Sequence, residues 1–137
     1  MNMFEIQRAI FTEFVTAIHE VDSSCRVGNK FVYTPATFPY VSIVLSGDGT
    51  TPNTRDSSKI EKYRDITLSI DVYSNKSDGN KTEAESLMQA VQDKAYSLAF
   101  NMVSCSPNSN TALATIYRLS ATFTATVDWN GNIYARR

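Results

Sequence analysis

Thr115-Ile116-Tyr117-Arg118-Leu119-Ser120-Ala121-Thr122-Phe123-Thr124-Ala125-Thr126-Val127-Asp128 decides the class of fold. Thr115, Tyr117, Leu119, Ala121, Phe123, Ala125 and Val127 alternate with Arg118, Ser120, Thr122, Thr124, Thr126 and Asp128. Successive side chains of a strand point to opposite faces, so this period of two predicts a long strand with one core face and one polar face. Asn130-Gly131 follows, a pair that tolerates positive φ in a two-residue turn, and Asn132 to Arg136 are expected to return as the second arm of a hairpin.

Moving towards the N terminus, Ser104 to Asn110 with Pro107 reads as a loop, and before it lies a helical pattern. Thr82 and Glu85 form a capping box there, and Ala84, Leu87, Val91, Ala95, Leu98 and Met102 make a buried stripe. Asp65 to Tyr73 is a second alternating strand, with Ile66, Leu68, Ile70 and Val72 facing the core and Asp65, Thr67, Ser69, Asp71 and Tyr73 on the wet or shared face. Tyr40 to Ser46 is short and rich in β-branched and aromatic residues, which predicts an inner strand. Residues 23–38 give an irregular connection with edge-strand pieces at Phe31-Val32-Tyr33, because Pro35 and Pro39 limit regular pairing. At the start, Asn2 and Glu5 resemble a capping box, and Met3, Ile6, Ile10, Phe14, Ala17 and Val21 recur at helical spacing. Phe4, Phe11, Val15 and Ile18 widen that apolar face.

The order helix, strands, helix, hairpin predicts an α+β fold: a largely antiparallel sheet of four to five strands with both helices packed on one face. The 137 residues fit one domain, 1–137, with a flexible loop expected at 47–62, where Ile60 is the single large apolar residue. Thirteen basic and fourteen acidic residues leave a net charge of −1, so no global field draws the chain to nucleic acid or anionic lipid. Polar residues break every apolar run well short of about 18 residues, which predicts neither a signal peptide nor a membrane span. Cys25 and Cys105 are too few for a disulfide framework and are expected as reduced thiols in cytoplasm.

The residues offer little chemistry. His19 is the only histidine and ends a helix, where a cation suits the dipole, so a structural or surface role is expected. Neither cysteine has metal-ligand spacing, and no cofactor is expected. Ser46-Gly47-Asp48-Gly49-Thr50-Thr51 lacks the Gly-Lys-Ser/Thr ending of a phosphate loop. Asp65 and Asp71 stand six residues apart on one strand, too far to share a proton, and are expected to keep a solvent face polar. Arg55, Lys59, Lys62 and Arg64 cluster around Tyr63, but Asp56, Glu61 and Asp65 interleave with them and weaken a nucleic-acid reading.

Three stretches carry a resemblance: Phe38-Pro39-Tyr40-Val41-Ser42-Ile43, Asp65-Ile66-Thr67-Leu68-Ser69-Ile70-Asp71-Val72-Tyr73, and Phe123-Thr124-Ala125-Thr126-Val127-Asp128-Trp129-Asn130-Gly131-Asn132-Ile133-Tyr134. With the order of elements, they resemble the tail-terminator (tail-completion, head-tail joining) proteins of long-tailed bacteriophages over nearly the whole chain. The resemblance implies a non-enzymatic virion protein, made in the host cytoplasm, that forms a ring of usually six subunits on the head-proximal end of the tail tube. Such a ring stops tube polymerisation and docks to the head connector. Its implied partners are its own copies, the tail-tube protein and the head-connector stopper, with DNA only passing through and no membrane contact. Candidate interface residues are Arg55, Asp56, Lys59 and Lys62 in the polar loop and Trp129, Tyr134 and Arg136 at the closing hairpin. Alternatives are another neck or minor tail protein, a small cytoplasmic α+β enzyme using carboxylates or a thiol, and a nucleic-acid binder.

Overall fold

The computed structural model describes residues 3–30, 32, 35–50, 63–108, 115–128 and 133–134. In chain order these form α1 (Met3–Val21), β1 (Arg26–Gly28), β2 (Tyr40–Thr50), β3 (Tyr63–Ser74), α2 (Asn80–Ser97), β4 (Asn101–Pro107), β5 (Tyr117–Asp128) and β6 (Ile133–Tyr134). The sheet runs β1-β2-β3-β5-β4, with β6 also paired to β5. β1 is parallel to β2 and every other pairing is antiparallel. The α+β class therefore holds, with six strands where four or five were expected.

Both alternating strands place their apolar residues as the period of two requires. Ile66, Leu68, Ile70 and Val72 of β3 and Leu119, Ala121, Phe123, Ala125 and Val127 of β5 are buried in one core. Ile6, Ile10, Phe14 and Ile18 of α1 and Ala84, Leu87, Met88, Val91 and Ala95 of α2 cover that face. Burying an aliphatic or aromatic side chain of this kind contributes about 1.5–3 kcal/mol, so this single layer of contacts is the main stabilising term. Val21, expected in the α1 stripe, is exposed because it is the last residue of the helix. Asn2, its expected cap, lies outside the described residues.

α2 ends earlier than its pattern suggests. Ala99 adopts φ 68, Ala99 N–H donates to Tyr96 O, and Phe100 N–H donates to Ala95 O at 2.8 Å. These are the two bonds of a Schellman motif, and the position that usually holds Gly holds Ala. Phe100 then turns into the core and meets Phe14 edge to face, centroids 6.2 Å apart. Met102 consequently belongs to β4, and Ser104 to Pro107, expected as loop, complete that strand. At the other end, Gly79 (φ 84) is the N-cap and makes no side-chain bond. The Thr82–Glu85 box does not form; Glu83 instead accepts a 2.6 Å bond from Ser74 and ties the helix to the end of β3.

β2 extends to Thr50, so 47–50 of the expected loop is strand, and 51–62 lies outside the described residues. A short edge strand lies at Arg26–Gly28, parallel to Tyr40–Ser42, and Phe31 and Tyr33 of the expected edge-strand piece lie outside the described residues. Thr115 precedes β5, which starts at Tyr117. β6 returns as expected, but Val127 pairs with Ile133 where a strict two-residue turn at Asn130-Gly131 would give Tyr134; Asn130 and Gly131 themselves lie outside the described residues.

Candidate assembly interface

The sheet face turned away from the helices is not uniformly wet. Towards one end it carries Tyr40 and Ser42 of β2, Asp71 and Tyr73 of β3, and Arg118 and Ser120 of β5, side by side in register. Ser42, Asp71, Tyr73 and Arg118 are buried. The connection between β1 and β2 crosses here: Ser42 Oγ donates to Lys30 O at 3.0 Å, and Arg26 N–H donates to Pro39 O. Beneath it Arg118 Nε donates to Asp71 Oδ1 at 3.0 Å, and Ser120 Oγ donates to the same oxygen. The Arg118 guanidinium lies 5.5 Å from the centroid of the Tyr73 ring, and Tyr40 meets that ring edge to face. The Tyr73 hydroxyl is buried without a hydrogen-bond partner, and burial pushes it up to about 12. Asp71 and Tyr73 thus depart from the solvent-facing role expected of them, because a crossover from a distant segment covers them.

Towards the other end the same face is half-exposed: Val44, Asp65, Thr67, Ser69, Thr122, Thr124 and Thr126. Thr126 Oγ1 donates to Asp65 Oδ1 at 2.9 Å. The register Tyr63↔Asp128 brings the start of β3 against the end of β5. β3 therefore begins and β5 ends at one end of the sheet. Arg55, Asp56, Lys59, Lys62, Trp129 and Arg136 themselves lie outside the described residues. Tyr134 is in β6, opposite Thr126.

Two strand edges were not foreseen. β4 is an outer strand with Met102 39% and Val103 63% exposed, large values for apolar residues in a sheet. On the opposite side β1 pairs only with Tyr40 to Ser42, so the outer edge of β2 from Ile43 to Thr50 has no strand partner among the described residues. The signal for β4 was present in Met102-Val103-Ser104-Cys105, but a helix pattern running on without glycine masked it.

The nucleophiles are poorly placed for chemistry. The Cys25 thiol is pushed up to about 12 by burial, with Asp22 and Glu83 adding to the effect, and burial also raises Cys105. Both stay protonated at neutral pH, when the thiolate is the reactive form. His19 Nε2 lies 3.0 Å from Cys25 O, a contact that joins the end of α1 to the chain entering β1. Among the described residues no three His, Cys, Asp or Glu gather as metal ligands, and no helix is long and apolar enough to cross a membrane. An apolar cleft of about 300 Å³ opens between Ile10 and Phe11 of α1 and Ile43, Leu45, Ile66 and Leu68 of the sheet. Among the described residues that line it, Arg8 is the one titratable group. Comparison with known proteins gives no match to a family model and no significant sequence match to a curated protein.

Proposed function

We propose that the chain is a structural virion subunit of tail-terminator type. It assembles as a closed ring, usually of six copies, on the head-proximal end of a phage tail tube, stops tube growth and offers the surface that joins the head connector. The observation that supports this reading is the placement of the three stretches behind the resemblance. They are far apart in sequence, yet 40–43 pairs with 70–73, and 65–73 pairs with the strand that runs through 123–128. Their described residues form one patch of sheet, at one end of which β3 begins and β5 ends. A face of threonines and serines there suits contact with other protein surfaces without a large exposed apolar patch.

The test is to measure the mass of the purified chain by light scattering across a concentration series, alone and with isolated tail tubes, and to image the mixtures by negative stain. Closed rings, seated on one end of the tubes, are the expected result. A chain that stays monomeric in both conditions overturns the proposal, and a ring bound to the connector but never to tubes assigns it to another neck protein.

A further inference from the structure

The outer strand β4 and the stretch of β2 beyond its pairing with β1 have edges that match. Reading across the registers, Cys105, Ser104, Met102 and Asn101 of β4 share rungs with Ile43, Val44, Leu45 and Gly47 of β2. Each strand has one irregularity, between Met102 and Ser104 in β4 and between Leu45 and Gly47 in β2. Both flank the single rung Leu45–Leu68–Phe123–Met102. A bulge bends its strand and increases its twist, so both edges are bent beside that rung, β4 on the side of Val44 and β2 on the side of Gly47. Charged side chains are one of the devices that protect exposed edge strands, beside bulges and proline. β4 carries none along Asn101 to Pro107, and β2 carries none from Ile43 to Gly47.

Direction also matches. β3 is antiparallel to β2, β5 to β3 and β4 to β5, so β4 runs opposite to β2. A neighbouring copy placed beside β4 with its strands in the same sense would meet it with an antiparallel β2. That contact is head-to-tail, uses at once the two edges of every copy that have no strand partner among the described residues, and closes into a ring if the rotation permits. A two-fold contact of β4 with β4 would satisfy one edge and leave Ile43 to Thr50 open in both partners.

We infer that β4 of one copy adds to the outer edge of β2 in the next, making one continuous antiparallel sheet around the assembly. The inference rests on the ring reading and specifies its seam. Ser104 and Val44 lie on the same face and the same rung, so the seam sets them opposite each other when edges meet in register; Ser106 with Val44 reads a slip of two residues, which keeps the face.

The test uses the full chain in a Cys105→Ser background, with Cys25 left buried. Ser104→Cys with Val44→Cys in one chain, or Ser106→Cys with Val44→Cys, is treated with a short thiol cross-linker under conditions where rings form. The two sites of one chain are on opposite sides of its sheet, so only a head-to-tail seam gives a ladder of covalent multimers in denaturing gels. A ladder from either pair, with none from each single variant, is the expected result. Dimers from Ser104→Cys alone, or intact rings with no ladder from either pair, overturn the seam while leaving the ring. A chain that forms no rings overturns both. Val103→Lys, at an exposed position, serves as a second probe: ring formation is lost while the circular dichroism and melting temperature of the subunit stay unchanged.

Discussion

Asp65 and Asp71 stand on one strand, on one face of one sheet, and the alternation that places them is identical, yet their surroundings differ in kind. Asp71 is 6% exposed and bonded to Arg118 and Ser120 beneath a crossing segment, whereas Asp65 is half-exposed and takes its bond from Thr126. Local pattern assigns a residue to a face; a distant segment decides whether that face meets water. The covered half is fixed in place by buried polar bonds, and the open half is left for contact with other molecules.

The strongest way to break this contrast is Asp71→Ala. It leaves the buried guanidinium of Arg118 without its carboxylate, and removing one partner of a buried pair costs about 3–5 kcal/mol. Urea unfolding followed by circular dichroism should show that loss, while Asp65→Ala should shift stability by less than about 1 kcal/mol. Joining Asp71→Ala with Arg118→Met should recover most of the loss, since the uncompensated charge is then gone. Equal effects of the two aspartate variants would refute the division of the face.

Gly28→Ala attacks the cover instead. A Cβ at Gly28 would clash with the Tyr40 hydroxyl and stand 3.0 Å from its ring carbon, so the Tyr40 side chain, which meets the Tyr73 ring, must shift. Overpacking of this kind costs about 1–3 kcal/mol. Tyr73 should then gain exposure, seen as increased hydrogen exchange of the β2 and β3 amides at this end and none at the other.

Tyr73→Phe has the opposite sign. Its hydroxyl is buried and unpartnered, and a buried donor left unsatisfied costs about 1–3 kcal/mol, so its removal should raise stability by about 1 kcal/mol. Burial holds the folded-state phenol up to about 12, against about 10 in the unfolded chain. The unfolded state therefore releases its proton first, and stability present below about pH 10 is lost as pH rises towards 12. The phenylalanine variant should show a shallower loss over that window in unfolding curves measured at stepped alkaline pH.

Much of this fold was legible because periodicity is local. The core faces of β3 and β5 and the buried positions Ile6, Ile10 and Phe14 of α1 follow from spacing alone. β4 was not legible: the stop at Ala99 is enforced by Phe100 entering the core, and no glycine announces it. The Asp71–Arg118 pair was hidden for a similar reason, since the register between β3 and β5 joins strands separated by a helix and another strand. Of the candidate interface residues only Tyr134 lies among the described residues. The outer position of β4 and the stretch of β2 left without a strand partner among the described residues depend on non-local pairing that composition cannot express.

The smallest expected effect is at the open end, with Thr126→Val. The substitution removes the hydroxyl that donates to Asp65 at 2.9 Å and keeps the β-branched shape that suits a strand. At a half-exposed site water replaces the lost donor, so the usual cost of about 1 kcal/mol for a hydrogen bond is largely recovered. The added methyl stands against cross-strand neighbours and offsets part of what remains. Subunit stability should therefore change by less than about 0.5 kcal/mol, within the range of ordinary surface substitutions. Assembly is the sharper readout. If the open half meets another protein surface through its hydroxyls, Thr122, Thr124 and Thr126 replaced together by valine should leave the melting temperature of the subunit near its starting value and weaken capping of tail tubes. If capping is untouched, the half-exposed face is a solvent face, and contact between subunits falls to the strand edges alone.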